Sequence, residues 1–336
     1  MKKLSFLEKI LFFLNSIIAT VLLLSYLLPF ISPKTVPLFA ILSLFVPFLI
    51  IMNIIFVVYW LIKLKKQFFL SIIILITGWV FSSPFYKLSS KNSSLNNDLK
   101  VMSYNVRTFN YFKWNKDKKL DQKEIDLINE ENPDVLAIQE FYNSDKINFT
   151  YPYKYIKTKS KKNKFGMAIY SRFKIINKGS LDLKNSTNNI IFVDILKEND
   201  TIRIYNLHLE SLKINTQKEN FGEKDSGKLI ARLGRSFKKQ ALQTEQFIAH
   251  EKQWKGKKII CGDFNNTAYS WVYHKISKNK KDAFIEAGKG FGKTYNYWFP
   301  MRIDFILTDE TAIINKFSTF SEKYSDHFPI QSKINW

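Results

Sequence analysis

Cysteine, histidine and, in the first quarter of the chain, acidic residues are all scarce. Cys261 is the only cysteine among 336 residues, so no disulfide can form within the chain. It ends an apolar run and precedes Gly262, which favours a buried, small hydrophobic side chain. Only four histidines are present, so few positions can supply imidazole chemistry near neutral pH.

Residues 1–87 contain one acidic residue, Glu8, and three long stretches without any charge. The stretches are residues 10–31, 36–62 and 67–86. As helices, with about 1.5 Å rise per residue, each can cross about 30 Å of hydrocarbon. A cleaved signal peptide explains only the first stretch, and buried helices of a soluble protein rarely lack charge three times in succession. The pattern predicts a membrane anchor of three transmembrane helices.

Lysines flank these stretches unevenly. Those before the first stretch and between the second and third are Lys2, Lys3, Lys9, Lys63, Lys65 and Lys66, whereas Lys34 stands alone between the first and second. Basic residues are retained on the cytoplasmic side of a membrane. We therefore expect a multi-pass membrane protein with a cytoplasmic amino terminus. The chain beyond the third span, which begins with a polar tether at residues 88–98, is then expected to be extracytoplasmic.

The formal net charge of +22 is spread over the whole chain. Residues 1–87 hold eight lysines and one acid, so +7 belongs to them and +15 to the remainder. An anionic partner such as nucleic acid or lipid headgroups is one interpretation. Lysine-rich, solvated faces are the other, and we favour it because net charge acts first on solubility.

Strand-like and helix-like patterns alternate beyond residue 98. Residues 119–131 and 227–252 have apolar side chains at helical spacing, and Asn132-Pro133 ends the first of these helices. β-type runs are predicted at residues 99–104, 135–138, 166–170, 190–196, 201–207, 258–261, 303–307 and 328–334. Many strands with few intervening helices indicate two packed sheets with outer helices.

Polar residues stand at the ends of these runs in six short segments. The segments are SYNVRTFN (103–110), IQE (138–140), NLHLES (206–211), GDFNNT (262–267), RIDFIL (302–307) and SDHFPI (325–330). Carboxylates without a cysteine ligand suit a hard cation such as magnesium or manganese. Histidines beside them can transfer protons. This combination indicates metal-assisted cleavage of a phosphate ester.

Taken together and in this order, the six segments resemble the endonuclease/exonuclease/phosphatase superfamily. That superfamily includes DNase I-like nucleases, abasic-site endonucleases, sphingomyelinases and inositol-polyphosphate phosphatases, and the resemblance covers residues 99–336. It implies an α/β catalytic domain, a four-layer sandwich of two packed mixed β-sheets flanked by helices (DNase I-like), here preceded by the three transmembrane α-helices. It also implies an active site at one edge of the two sheets.

The resemblance implies metal and water roles for four residues. Glu140 matches a metal ligand, and Asp326 is expected near the metal. Asn105 matches the asparagine that holds both the metal shell and the phosphate. Asp263 matches the aspartate that positions or activates the attacking water.

Four further residues are implied to bind phosphate or move protons. Asn265 matches a phosphate contact, and it shares one face with Asp263 in an extended segment. His327 is implied to contact the scissile phosphate or to transfer a proton, with Asp304 orienting its ring. His208 matches a histidine that assists the leaving group. His250 and His274 fall in helix-like segments, where we expect structural roles.

The resemblance implies a membrane-anchored phosphoesterase dependent on Mg²⁺ or Mn²⁺, which hydrolyses a phosphodiester or phosphomonoester by in-line attack of water. The substrate stays open between nucleic acid, a lipid headgroup and a small phosphate ester. The alternative function is a non-catalytic, membrane-bound receptor for phosphorylated ligands on the same fold. Two segments also stay open: the basic residues 157–164 either grip an anionic substrate or form a solvated loop, and the aromatic residues 295–299 are interpreted as core, with base stacking or membrane contact as alternatives.

Overall fold

The computed structural model of the chain describes residues 4–93, 95, 97–160, 162–213 and 223–336, the side chains of residues 223–226 excepted. Lys2 and Lys3, two of the lysines before the first apolar stretch, are outside the described residues. So are Lys161 of the basic segment and residues 94 and 96 of the tether.

The amino-terminal region is a bundle of three apolar helices, α1 (Phe6–Ser25), α2 (Pro37–Ile62) and α3 (Phe68–Phe81). Lys65, just after α2, lies 3.7 Å from Glu8 near the start of α1, so these helices run antiparallel. Asn15 joins all three: its Nδ2 donates to Ser71 Oγ over 2.6 Å, and Trp60 Nε1 donates to its Oδ1 over 3.0 Å. Such interhelical hydrogen bonds specify helix packing in an apolar solvent.

The prediction of three transmembrane helices is wrong for the third. Among the described residues, only two helices are long and apolar enough to cross a membrane, Phe6–Phe30 and Phe39–Ile62. α3 has 14 residues, which give about 21 Å against about 30 Å of hydrocarbon. It ends early because Ser82 is extended and the residue before Pro84 disfavours the helical conformation. Ser83 instead accepts a hydrogen bond from Arg302 Nη2 over 3.2 Å, which directs the chain onto the carboxyl-terminal half.

The carboxyl-terminal half, which we call the α/β half, contains two six-stranded mixed sheets. The strands are β1 (Leu99–Asn105), β2 (Val135–Tyr142), β3 (Tyr153–Thr158), β4 (Phe165–Ser171), β5 (Lys174–Ser180), β6 (Ile190–Lys197), β7 (Asp200–His208), β8 (Lys258–Asp263), β9 (Lys280–Asp282), β10 (Asp304–Asp309), β11 (Ile313–Thr319) and β12 (Ile330–Asn335). The first sheet has the order β11-β12-β1-β2-β4-β3, and the second β5-β6-β7-β8-β10-β9. Only the pairs β1–β2 and β7–β8 are parallel among the named strand pairs.

The two sheets pack face to face and helices cover their outer faces, so the expected four-layer sandwich is confirmed. The helices are α4 (Leu120–Glu131), α5 (Glu223–Glu251), α6 (Trp271–Ser277) and α7 (Ala283–Ala287). Val101, Val193 and Cys261 meet between the sheets, and Cys261 is fully buried as predicted. Ile128 of α4 packs on the outside of the first sheet, and Phe247 of α5 on the second. Central strands covered on both faces are apolar almost throughout.

Strand direction brings the polar chain ends together. The carboxyl ends of β1, β2, β7 and β8 meet at one edge of the sandwich, because the parallel pairs run side by side. β10 is antiparallel to β8, and β12 is antiparallel to β1. Their amino ends therefore lie at the same edge. Residues that follow or precede these strands are thereby placed in one region.

The helical bundle contacts the α/β half beside this edge. Leu44 of α2 packs against Leu233 and Phe237 of α5. Thr267 Oγ1, just after β8, donates to the carbonyl oxygen of Ser43 over 2.7 Å. These contacts involve the amino-terminal part of α2, at the end of the bundle opposite Lys65, so the bundle and the α/β half are joined close to the strand ends.

Candidate active site

Seven of the predicted site residues converge with contacts of 4 Å or less, and the core of this group is a buried chain of two carboxylates and an imidazole. His327 Nδ1 lies 2.9 Å from Asp304 Oδ2, and His327 Nε2 lies 3.7 Å from Asp263 Oδ2. Asp263 and Asp304 are direct neighbours across the β8–β10 ladder. The pairing of Asp304 with His327 that the resemblance implies is thus present as a direct contact.

Electrostatic interactions among Asp263, Asp304 and His327 favour a proton on the imidazole of His327. Burial alone would lower the pKa of His327, but the carboxylates of Asp304 and Asp263 outweigh burial and raise it well above its ordinary value. Burial raises the pKa of Asp263, and Asp304 adds to this while His327 opposes it. These shifts favour a proton on the imidazole, which lies between the carboxyl groups of Asp304 and Asp263.

His208 and Asn105 complete the inner part of the site. His208 Nε2 lies 3.6 Å from Asp263 Oδ2 and has no hydrogen-bond partner within the described residues. Burial, followed by the His327 cation, lowers the pKa of His208 to about 3, so this ring is neutral. Asn105 Nδ2 donates to Asp263 Oδ2 over 3.0 Å. A buried, unpartnered ring nitrogen aimed at a carboxylate is available to a ligand.

Glu140 reaches the site through a local break in β2. Its φ of 50° is left-handed, and the register between β2 and β4 shifts between Ile138 and Phe141. Such a bulge re-aims a side chain at a sheet edge. Glu140 Oε1 accepts from Asn105 Nδ2 at 3.4 Å and lies 3.8 Å from His208 Nε2. Burial, and then the nearby Asp326 carboxylate, raise the pKa of Glu140.

Two arrangements of donor atoms fit a divalent cation. Glu140 and Asp326 repel each other electrostatically and have hard oxygen donors, which a cation would neutralise. Among the described residues, the group of ligand atoms that lie within 4.8 Å of one another is instead Asp263, Asp304 and His327. In that group the imidazole Nδ1 is already hydrogen-bonded to Asp304. That hydrogen bond suits the group to proton transfer, which leaves Glu140 and Asp326 as the other candidate oxygen donors for a cation.

The remaining predicted residues flank this centre. Asn265 also has a left-handed φ of 50°; its backbone N–H donates to Asp263 Oδ1 over 2.7 Å, and its side-chain Nδ2 lies 3.2 Å from Asp263 Oδ2. Its amide is thus engaged with Asp263 rather than directed outward. Asp326 forms an ion pair with Arg107 Nη1 at 3.3 Å. His250 and His274 lie on α5 and α6, outside the site, as expected.

Several contributors were missed at the sequence level. Gln139 Nε2 donates to Asn206 Oδ1 over 2.7 Å, and Asn206 Nδ2 donates to the Ile138 carbonyl, so a buried polar bridge joins the two sheets beneath the site. The Tyr295 ring packs edge-on against His327 with 5.1 Å between centroids. Asn206 does occur in the NLHLES segment, but its partner lies 67 residues away, and no local pattern indicates that contact.

Two cavities open from the site and share Glu140 and Ser211 in their linings. One has a volume of about 220 Å³ and extends from Asp263 and His327 toward α2. The other is a polar groove of about 780 Å³. Of the basic segment, Lys157 and Lys159 line the polar groove.

Comparisons with known proteins agree with this architecture. The family described as "Endonuclease/Exonuclease/phosphatase family" matches residues 102–327, more than half of the chain. A second family, described as "Domain of unknown function (DUF8431)", matches residues 8–85. No curated protein matches the chain.

Solved structures share the fold at low sequence identity. An endonuclease/exonuclease/phosphatase family protein from Leptotrichia buccalis is 20% identical, with 71% of this chain and 100% of that chain covered and a TM-score of 0.50. The mannosyl-6-phosphatase of Bacteroides thetaiotaomicron is 17% identical, with 71% and 100% covered and a TM-score of 0.51. An endonuclease/exonuclease/phosphatase from Bacteroides vulgatus is 16% identical, with 71% and 99% covered and a TM-score of 0.52. Each match covers 71% of this chain, and at these identities the likeness concerns the fold alone.

Proposed function

Because the chain belongs to the endonuclease/exonuclease/phosphatase family, we propose that it is a membrane-anchored, divalent-metal-dependent phosphoesterase that hydrolyses a phosphodiester or a phosphomonoester. The observation that carries this proposal is the position of His327 between two carboxylates, Asp304 at 2.9 Å and Asp263 at 3.7 Å. An imidazolium beside an acceptor carboxylate provides both charge stabilisation and proton transfer at one place.

The proposed reaction is in-line attack of water. Asp263 accepts the proton as the water oxygen bonds to phosphorus, and the bond from phosphorus to the leaving oxygen breaks. The leaving oxygen takes its proton from solvent water, and Asp263 later returns the proton it accepted to solvent, so charge and atoms balance. His327, which Asp304 favours in its cationic form, stabilises the negative charge that develops on the phosphoryl oxygens. The neutral His208, whose unpartnered Nε2 lies 3.6 Å from Asp263, is assigned to the leaving oxygen as a hydrogen-bond partner.

Glu140, Asp326 and the side-chain oxygen of Asn105 are the proposed ligands of Mg²⁺ or Mn²⁺. The bound cation would neutralise phosphate charge and polarise the ester. Asn105 has capacity for this, since its Oδ1 accepts one hydrogen bond, from the Arg107 N–H at 3.1 Å, and an amide oxygen has two lone pairs. Asn265 is proposed to contact the phosphate beside Asp263. Its amide donates to Asp263 Oδ2 at 3.2 Å, so phosphate binding would replace that hydrogen bond.

The anchor is proposed to hold the α/β half outside the cytoplasm. Large apolar side chains such as Phe13, Ile55 and Val58 are exposed on the bundle, which suits lipid rather than water. Lys63 and Lys65 lie at the end of the bundle where α2 finishes, whereas the α/β half contacts the opposite end through Ser43. Retention of the lysines in the cytoplasm would place the α/β half on the other side. α3 is too short to cross the hydrocarbon as a helix alone, so the return would be completed by the extended Ser82 and the residues that follow it.

Hydrolysis of a generic ester tests the proposal. The full-length chain, purified in detergent, should release p-nitrophenolate from bis(p-nitrophenyl) phosphate or from p-nitrophenyl phosphate when Mg²⁺ or Mn²⁺ is present, and EDTA should stop the release. Asp263→Asn purified in parallel serves as the background for contaminating phosphatases. Equal rates for the wild type and this variant, or no release from either ester, would refute the assignment.

A further inference from the structure

We propose that the substrate is a membrane lipid phosphate ester, whose apolar chain enters the cavity beside α2 while its head group occupies the polar groove that shares Glu140 with this cavity. This inference rests on the proposed phosphoesterase function and names its substrate class. It follows from three features: a largely apolar cavity built partly by a membrane-type helix, exposed apolar side chains along that helix, and an adjoining polar groove.

The cavity between the catalytic carboxylate and α2 has two chemically different ends. One end holds Glu140, Asp263 and His327. The other end is formed mainly by apolar side chains, which are Leu44, Phe45, Leu212, Phe299 and Met301. The exposed Lys213 is the one basic side chain other than His327 that lines it within the described residues. A cavity with phosphate chemistry at one end and hydrocarbon at the other fits an amphipathic ester.

The apolar end connects to the surface that would face lipid. Phe45 lines the cavity and is still 47% exposed. One turn further along α2, Phe48 packs edge-on against Trp298, with ring centroids 5.6 Å apart. Trp298 is 70% exposed, so the interpretation of residues 295–299 as core holds for the buried Phe299 but not for Trp298. Exposed Trp and Phe beside a membrane helix are typical of the lipid–water interface.

α2 is also one of the two helices apolar enough to cross a membrane. Its amino-terminal part is fixed against the α/β half by the contact of Leu44 with Leu233 and by the hydrogen bond from Thr267 to Ser43. The helix that enters the hydrocarbon therefore forms a wall of the active-site cavity. A lipid can reach the scissile position by sliding along this wall, without leaving an apolar environment.

The polar groove provides the complementary surface. It is lined by Glu140 and His208 of the site, and by Lys157 and Lys159. Lys157 Nζ is 2.9 Å from Asp182, whose carboxylate also lines the groove. Basic and acidic groups together suit a polar or charged head group. A nucleic acid strand would need polar, basic surface on both sides of its scissile phosphate, whereas on the α2 side it would meet Leu44 and Phe45.

Chromogenic phosphodiesters that differ only in alkyl length test the inference without knowledge of the natural head group. The full-length chain in lipid nanodiscs is assayed with methyl, propyl and hexyl p-nitrophenyl phosphate, and with thymidine 5′-p-nitrophenyl phosphate. Each methylene that leaves water for the cavity can raise kcat/KM by up to about fourfold. We expect the hexyl ester to exceed the methyl ester by at least about tenfold, and to exceed the nucleotide ester.

A pair of variants on α2 separates the cavity from simple partition of the ester into the nanodisc. Phe45→Ser removes a cavity side chain, whereas Phe39→Ser removes a similarly exposed phenylalanine that does not line the cavity. The hexyl-to-methyl ratio should persist in Phe39→Ser and fall to within about threefold of unity in Phe45→Ser, since only the latter loses apolar contact with the chain.

The outcomes separate the two proposals. Chelator-sensitive hydrolysis with equal rates for methyl and hexyl esters, a ratio that is the same in both variants, or a preference for the thymidine ester would overturn the lipid inference and leave the phosphoesterase standing. Absence of p-nitrophenolate release from every ester, the methyl ester included, would contradict the phosphoesterase itself. Should Phe45→Ser fail to fold, Met301→Ser removes another apolar side chain of the cavity and should lower the ratio in the same direction.

Discussion

The helical bundle and the α/β half treat apolar side chains in opposite ways. Among the residues that the structure describes, 38 large apolar side chains are exposed, and 26 of them belong to residues 6–86. The α/β half, although nearly three times longer, exposes only 10, and the other two, Leu88 and Leu95, belong to the tether. It buries ion pairs instead: Arg203 meets Asp194 at 2.6 Å, and Arg302 meets Asp282 at 2.6 Å.

The difference indicates two solvents for one chain. Burying an ion pair is tolerated where good geometry and hydrogen bonds compensate its desolvation, and exposing apolar side chains is favourable only in lipid. The surface of the α/β half therefore suits water, and that of the bundle suits hydrocarbon, as the proposed membrane anchor requires. The candidate active site lies where they meet, because Leu44 and Phe45 of α2 reach the cavity that contains Asp263.

The largest expected effect concerns membrane topology, because each reporter lies either inside or outside the cytoplasm. A reporter fused after Trp336 should be extracytoplasmic, and one inserted near Lys65 should be cytoplasmic, because basic loops are retained inside. Alkaline phosphatase activity and green fluorescence give opposite readings at the two positions. A cytoplasmic reading at both positions would show that the 14-residue α3 does not bring the chain back across the membrane.

The next largest effect concerns chemistry, which the comparison assigns to the α/β half. Asp263→Asn and His327→Asn should each lower kcat by about a hundredfold or more, the scale for losing an acid–base or electrostatic group. His250→Asn is the matched control, since His250 lies on α5 and bonds Tyr205 rather than the site. Turnover within a few-fold of wild type in both site variants would place the chemistry elsewhere.

Metal affinity should change by about ten- to a hundredfold. Glu140→Gln removes one charged ligand of the proposed site, so Mn²⁺ should bind about 10–100 times more weakly, as when a metal centre loses a supporting group. Titration followed by electron paramagnetic resonance measures this without any turnover. Glu131→Gln, on the surface of α4, is the control. Unchanged affinity in Glu140→Gln with loss in Asp304→Asn would move the ion to the Asp263, Asp304 and His327 group.

Within the bundle, Asn15→Leu should destabilise helix packing by about 1–2 kcal/mol, because it removes the hydrogen bonds to Ser71 and Trp60. Hydrogen bonds between helices in an apolar solvent average about 0.6 kcal/mol each and reach about 1.7 kcal/mol. Ser16→Ala is the control, since Ser16 Oγ bonds only the Phe12 carbonyl of its own helix. Thermal unfolding in detergent compares the two. Equal losses would mean that the bundle is held by apolar packing alone.

The two site histidines should couple stability to pH with opposite signs, measured in EDTA. The pKa of His208 is about 3 in the folded protein and about 6.5 in the unfolded chain. Below pH 6.5 the unfolded chain binds a proton that the folded protein does not, so the free energy of unfolding falls as the pH drops. His208→Asn should remove about 1 kcal/mol of that loss between pH 6.5 and 5.5. His327 has a raised pKa, so its stabilisation is complete below 6.5 and is lost as pH rises through the folded value. Urea unfolding of His208→Asn and His327→Asn across pH measures both contributions to stability. The same direction of pH dependence for the two histidines would contradict the assignment.

Much of the fold could be predicted because the central strands are apolar on both faces. The runs that became β1, β2, β7 and β8 were recognisable, and so was α4, which ends at Asn132 in the left-handed conformation before Pro133. All four edge strands, β3, β5, β9 and β11, were missed, because edge strands such as Lys174–Ser180 are polar and half-exposed and lack the apolar signal.

The candidate site divides in the same way. Residues at strand ends, such as Asn105, Asp263 and His327, could be found because each follows or precedes a recognisable run. Contacts between distant segments could not, since nothing near Phe45 in the sequence indicates that it would line a cavity with Asp263. The third membrane span was overextended because hydropathy does not record that Ser83 bonds Arg302 and turns the chain away.

The left-handed backbone at Glu140 sets thermodynamic stability against catalysis at one residue. A side chain in that region costs about 1–2 kcal/mol relative to ordinary backbone, and asparagine tolerates it better than glutamate does. Replacement of Glu140 by asparagine would therefore relieve backbone strain and remove the repulsion between Glu140 and Asp326, but it would also remove a proposed metal ligand. Laboratory selection for heat tolerance alone would drift toward such replacements, so any thermostabilised form of this enzyme has to be screened for turnover at this position first.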